Sequence, residues 1–195
     1  MYLKANLRFK RLKHLWLCSC CLMMYNLVAA QSIKWQADVL LTFDDFKSKP
    51  KPADKTQAAL TASTMVFSYK SNGKTIQFEM YSLFDQNNSW FVEEAKTPAI
   101  LMHEQMHFNI TEWHVRLLRQ QLSNMHLSNH YNFANSISKV YKAVQQQCAQ
   151  MQKKYDKETN HGLDENMQMM WQAKVADALS ELAQFDNEKF EMVID

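Results

Sequence analysis

Ile100-Leu-Met-His-Glu-Gln-Met-His-Phe-Asn-Ile-Thr-Glu-Trp-His-Val-Arg-Leu-Leu-Arg119 is the stretch on which the reading of this chain turns. It follows Thr97-Pro98, a side chain that caps a helix and a proline suited to the first helical turn, so a helix is expected from Pro98 to about Gln121. Within it His103, Glu104 and His107 spell His-Glu-x-x-His. Residues four apart on a helix stand about 40° apart in projection and one turn along the axis, so both imidazoles can reach one ion. Glu104, beside them on the same face, can touch a metal-bound water without being a ligand. Zn²⁺ bound by His103 and His107, with Glu104 as general base, is the expectation, and a metal-dependent hydrolase acting on peptides is the function that follows.

Catalytic zinc takes three protein ligands, so a third must come from elsewhere. Glu112 lies about 140° round the cylinder from His107, and His114 about 10 Å further along the axis. Neither can join the pair: Glu112 reads as the solvated end of the helix or a partner of the ligands, and His114 as a surface or packing residue. A third histidine six residues after the second needs a glycine midway, and Ile110 and Trp113 stand at those positions. His126, His130, Glu158 and His161 remain open, with Asp164 and Glu165 weaker. His161 adjoins Gly162, one of two glycines in the chain, where a left-handed turn can aim a side chain back at another helix.

Outward from that helix the pattern changes period. Ala62 to Tyr69 is rich in Thr, Val and aromatics, Ser71-Asn72-Gly73-Lys74 is a turn, and Thr75 to Phe84 places Ile76, Phe78, Met80 and Ser82 on one face. An antiparallel hairpin is expected, with a short strand within Ser89 to Val92. The Thr75–Phe84 strand is a candidate edge for an extended peptide. Lys49 to Lys55, with two prolines, reads as a solvated loop. Downstream, Ile137, Val140, Tyr141, Val144, Cys148, Met151 and Tyr155 step by three or four, as an amphipathic helix requires. A third helix is expected from a cap at Asp164, with Met167, Met170, Trp171, Val175, Ala178, Leu179 and Leu182 as its apolar stripe. The fold class is α+β: a small N-terminal antiparallel sheet packed on about three main helices.

The 195 residues are 47% hydrophobic, enough for one domain core. Residues 1–30 hold five basic residues and no acid, an apolar run from Leu15 to Ala30, and Val28-Ala29-Ala30 as a small-residue cleavage site. They read as a signal peptide, leaving residues 31–195 as a single exported domain, periplasmic or extracellular, that meets the membrane only through the uncleaved leader. The formal charge of +2 then becomes −3, with 17 basic residues against 20 acidic, which argues against nucleic acid as a partner. Cys18, Cys20 and Cys21 fall in the leader, so Cys148 is left without an internal disulfide partner and reads as a buried structural thiol.

Two blocks, His-Glu-Gln-Met-His-Phe-Asn-Ile-Thr-Glu from His103 to Glu112 and Tyr-Asp-Lys-Glu-Thr-Asn-His-Gly from Tyr155 to Gly162, resemble a family of bacterial exported proteins regarded as zinc-dependent proteases and catalogued as a domain of unknown function. Leu41-Thr42-Phe43-Asp44-Asp45-Phe46, Lys49-Pro50 and Trp171 are similar to its pattern as well, whereas Asn109 stands where the family commonly has Asp. The resemblance implies zinc, a zincin-like fold, proteolysis of a peptide or protein substrate, and His161 as the third metal ligand, with Glu158 or His130 as alternatives. Tyr155 is a candidate donor to the oxyanion. Two other classes compete: a non-catalytic zinc-binding envelope protein whose metal site is closed by a fourth protein ligand, and a helical interaction protein that binds no metal.

Overall fold

A computed structural model describes residues 32–50, 57–125 and 133–194. Residues 33–195 cluster as one unit. The signal peptide expected over 1–30, most of the Lys49–Lys55 loop, and His126 and His130 lie outside the described residues. Among those described, no helix is long and apolar enough to cross a membrane.

The elements run β1 (Ser32–Lys34), β2 (Ala59–Leu60), β3 (Ser63–Ser71), β4 (Thr75–Asp85), β5 (Trp90–Phe91), α1 (Pro98–Ser123), α2 (Phe133–Glu158), α3 (Glu165–Glu181) and β6 (Lys189–Val193). The expected hairpin is β3–β4, antiparallel from Ser63↔Phe84 to Ser71↔Ile76, closed by a turn in which Asn72 Oδ1 accepts from the backbone N–H groups of Lys74 and Thr75 and Gly73 sits at φ +86°. Strict alternation puts Ile76, Phe78, Met80, Ser82 and Phe84 inside. Ile76, Phe78 and Met80 meet Val115, Leu118 and Leu122 of α1 and Ile137, Val144 and Cys148 of α2 across the main core, where each full burial of such an apolar side chain is worth about 1.5–3 kcal/mol.

Two features of the sheet depart from the sequence reading. The sheet is not wholly N-terminal: β6, from the end of the chain, pairs with β4 from Thr75↔Val193 to Glu79↔Lys189. And β4 is not an edge. It has β3 on one side, and it also pairs with β6 and β1, so its backbone groups are engaged and Thr75–Phe84 cannot accept a peptide as a further strand. A separate two-stranded sheet joins β2 to β5, the short strand expected within Ser89–Val92.

All three helices begin or run close to where the pattern puts them. Thr97 Oγ1 accepts from Ile100 N at 3.3 Å and Asp164 Oδ1 from Met167 N at 3.0 Å, each satisfying a backbone donor that a helix start leaves free. On α3, Met170 is exposed rather than part of the apolar stripe, because Trp171, Val175 and Ala178 face α1 and α2.

α1 is covered on nearly every side, so its polar residues need partners. Glu112 is neither a solvated end nor a neighbour of the ligands. It is buried, accepting from Ser82 Oγ at 2.9 Å, Arg116 Nε at 3.2 Å and Arg119 at 3.2 Å. Arg119 in turn donates to the carbonyls of Met80, Phe185 and Asp186, tying helix, sheet and C-terminal segment together. Removing one member of such a buried pair typically costs about 3–5 kcal/mol.

Cys148 is buried, and burial pushes its thiol up to about 11, so it is not a thiolate nucleophile. His114 is likewise a packing residue, its Nδ1 donating to the Ile110 carbonyl at 2.8 Å. Burial lowers its pKa below the ordinary 6.5 against the opposing pull of that hydrogen bond. A depressed folded-state pKa gives stability that is complete above about 6.5 and is lost as pH falls through the folded value. Chemical denaturation at pH 7.5 and pH 5 should therefore show a smaller acid loss in His114→Leu than in the parent; an equal loss assigns the acid sensitivity to other groups.

Candidate metal centre

His103 and His107 leave the buried face of α1 towards a cleft of about 530 Å³, also lined by Glu104, β2, and Gln152, Asp156 and His161 from α2 and the turn after it. Each imidazole is held from behind by a glutamine. Gln152 Nε2 donates to the His107 carbonyl at 2.9 Å and to Thr111 Oγ1 at 3.2 Å, which turns its Oε1 towards His107 Nδ1 at 2.6 Å. Gln168 Oε1 accepts from the Tyr155 hydroxyl at 2.7 Å and faces His103 Nδ1 at 3.3 Å. An amide oxygen accepts only, so both Nδ1 atoms carry the proton and both Nε2 atoms keep a lone pair.

Those lone pairs converge. His103 Nε2 and His107 Nε2 are 3.2 Å apart, and Asp156 Oδ1 lies 3.2 Å from the first and 2.9 Å from the second. Three electron-rich atoms at such separations repel unless a cation or a proton stands between them. With bonds of about 2.0–2.1 Å, a tetrahedral zinc sets its ligand atoms roughly 3.3 Å apart, which the observed triangle nearly matches. The donor set therefore fits a zinc ion, and His103, His107 and Asp156 are the group of described residues placed to hold one. Without a metal a proton does the same work. Burial lowers the His107 pKa, but Asp156, Glu104 and Gln152 outweigh it and the net shift is upward. Burial opposes the charge of Asp156 too, yet the two imidazoles hold its carboxyl well below the usual carboxylate range.

Glu104 is buried, lines the cleft, and leaves Oε2 without a hydrogen-bond partner, an orphan that a buried carboxylate does not normally carry. Tyr155, the candidate donor to an oxyanion, is already engaged. Its hydroxyl is engaged by Gln168, its ring stacks on His103 at 4.5 Å between centroids, and burial drives its pKa well above the usual phenol range. Behind it stands Trp171, whose Nε1 donates to Glu158 at 3.0 Å and so turns that carboxylate away from the cleft. Asp164 is spent as the cap of α3.

His161 borders the same cleft, with Nδ1 3.9 Å from Asp156 Oδ1 and a side chain 68% exposed. The turn that carries it is left-handed at three successive residues, Asn160 (φ 47°), His161 (φ 55°) and Gly162 (φ 83°). Glycine is required at the last of them: a Cβ there would lie 2.9 Å from His103 Cβ.

Asp156 was missed by sequence reasoning, and its signal lay in helical spacing. Cys148, Gln152 and Asp156 step by four along one stripe of α2, so a polar pair continues a line that begins in the core. Once α2 packs on α1, that stripe is what faces the two histidines.

Residues 84–162 match the family described as bacterial protein of unknown function (DUF922). No curated protein and no solved structure matches the chain. The matched segment runs from the end of β4 to Gly162 and contains His103, Glu104, His107, Asp156 and His161, so the whole candidate centre falls inside it.

Gly162→Ala places a side chain against His103 at a backbone angle that costs an L residue about 1–2 kcal/mol. The expected result is a lower thermal midpoint together with zinc affinity reduced by at least tenfold, read by competition with a chromogenic chelator; parent-like zinc affinity would show that the turn's approach does not position His103.

Proposed function

We propose that this protein is an exported zinc-dependent peptidase of zincin-like fold, with His103, His107 and Asp156 as the protein donors and Glu104 as general base. The observation that carries the reading is the convergence of two imidazole lone pairs and a carboxylate oxygen next to a buried carboxylate with one unpartnered oxygen. Zinc held there would polarise a scissile carbonyl and bring the pKa of a water towards 7.

The chain's own groups do the rest. Gln152 and Gln168 fix the tautomers, which keeps both Nε2 atoms available and both rings in place. Glu104, in a cleft where an extra charge is poorly solvated, accepts the proton of the attacking water and passes it to the leaving amine, a role worth about 10²–10⁴ in rate. His161, at the solvent-facing rim beside Asp156, is left to contact substrate or to complete the donor set. The leader expected over residues 1–30 supports action outside the cytoplasm, and a mature mass beginning at Gln31 is the check on it.

Glu104→Gln should retain one zinc per chain and lose cleavage of a casein or mixed-peptide substrate by at least about 10²-fold; unchanged cleavage removes Glu104 from the mechanism. For the ligands, Asp156→Ala should weaken zinc binding by about 10²-fold or more and His161→Ala by less than tenfold. A second reading, the non-catalytic closed site, is favoured by the 3.9 Å approach of His161 to Asp156. It requires both substitutions to weaken zinc equally, and a metal-bound structure to show four protein donors and no place for water.

A further inference from the structure

Among the described residues, β2 offers the cleft an unpaired strand edge. Its ladder to β5 opposes Ala59 to Phe91 and Leu60 to Trp90, and Val92 N donates to the Ala58 carbonyl at 2.8 Å. In an antiparallel ladder, hydrogen-bonded and non-hydrogen-bonded pairs alternate. Ala58 is thus in a bonded pair, Ala59 is not, and the N–H and C=O of Ala59 point away from β5. Among the described residues no strand lies on that side, whereas the outer side of β5 is met by Ser48 through a bridge to Trp90. Gln57 to Thr61 line the cleft that holds His103, Glu104 and His107. The strand is also tethered to the helix turn that carries the base, since Thr61 Oγ1 donates to the Glu104 carbonyl at 3.2 Å.

Two exposed leucines line the same cleft. Leu60, 40% exposed, projects from β2 on the face opposite Ala59, which packs into the core with Phe91. Leu163, 70% exposed, follows Gly162 in the turn after α2 and lines the cleft as well. Neither belongs to a core cluster. A solvent-facing leucine alone carries no message, but two on the walls of a cleft that also presents a free strand edge give an extended chain both backbone partners and an apolar contact for a side chain.

We propose that the substrate is an extended peptide segment that adds as a strand to the outer edge of β2 at Ala59 and places an apolar side chain between Leu60 and Leu163. The inference rests on the peptidase reading and names its substrate class: unfolded or loop segments with a large apolar residue beside the bond that Glu104 serves. Folded surfaces without a free strand are excluded, because the cleft wall asks for main-chain donors and acceptors at alternate residues.

The test uses zinc-loaded Glu104→Gln protein and a fluorescein-labelled octapeptide of alanine and serine with one central leucine, with binding read by fluorescence anisotropy. Single N-methylation along the peptide should weaken binding by about tenfold at alternate positions and little between them. Leu60→Asp and Leu163→Asp should each weaken the leucine peptide by about tenfold or more, with zinc content unchanged, and make little difference when the leucine is replaced by serine. N-methyl effects without a period of two, or parent-like binding by both leucine variants, overturn the inference. Cleavage by the parent protein is measured on the same peptides. Glu104-dependent cleavage with aperiodic binding sinks the edge proposal alone, and periodic binding without cleavage sinks the catalytic reading alone.

Discussion

Two imidazole nitrogens and a carboxylate oxygen held within 3.2 Å of one another form an arrangement that the surrounding structure must work to keep. Left free, these groups would rotate apart and solvate. They stay because the opposite side of each ring is fastened, His107 by Gln152 on α2 and His103 by Gln168 on α3 with Tyr155 laid over it. Each fastening comes from a different helix. The position of all three helices is therefore written into the site, and the interface of Met106, Ile110, Tyr155, Trp171 and Val175 is what sets it.

The same helix meets a second demand on its other side. Glu112, Arg116 and Arg119 form a buried ionic cluster against Ser82 and the carbonyls of Met80, Leu179, Phe185 and Asp186. Buried ion pairs are poor sources of net stability, but they are exacting about geometry. Here the cluster fixes the rotation of α1 about its axis against β4. One face of the helix is thereby locked to the sheet while the other presents His103 and His107 to the cleft.

What could be read from sequence was what depends on near neighbours. The cap at Thr97, the alternation from Ile76 to Phe84 and the stripe from Ile137 to Tyr155 are local patterns, and each element formed where its pattern lay. His103, Glu104 and His107 share one helical turn and were legible for the same reason. Asp156 was not, because nothing in α2 by itself says that its polar stripe will meet two histidines 49 and 53 positions earlier in the chain. Glu112 looked solvated because its cover comes from a strand and from the C-terminal segment. Lys189–Val193 does alternate, with Phe190 and Met192 packed against the core, but five residues at a chain end are a weak signal until β4 is there to pair with them.

The pairing of β6 with β4 has a consequence for the order of events. Thr75 opposes Val193, a loop of more than a hundred residues that contains α1, α2 and α3. Closing a loop of that size is a late step, since its entropy must be met before the contacts repay it. Arg119 finds two of its carbonyl partners, Phe185 and Asp186, only when that same segment arrives. During synthesis the histidine pair, Glu104 and Asp156 therefore all exist before the helix that carries most of them is locked. The segment from Phe185 to Val193 acts as a latch, and the rigid form of the centre waits on its docking.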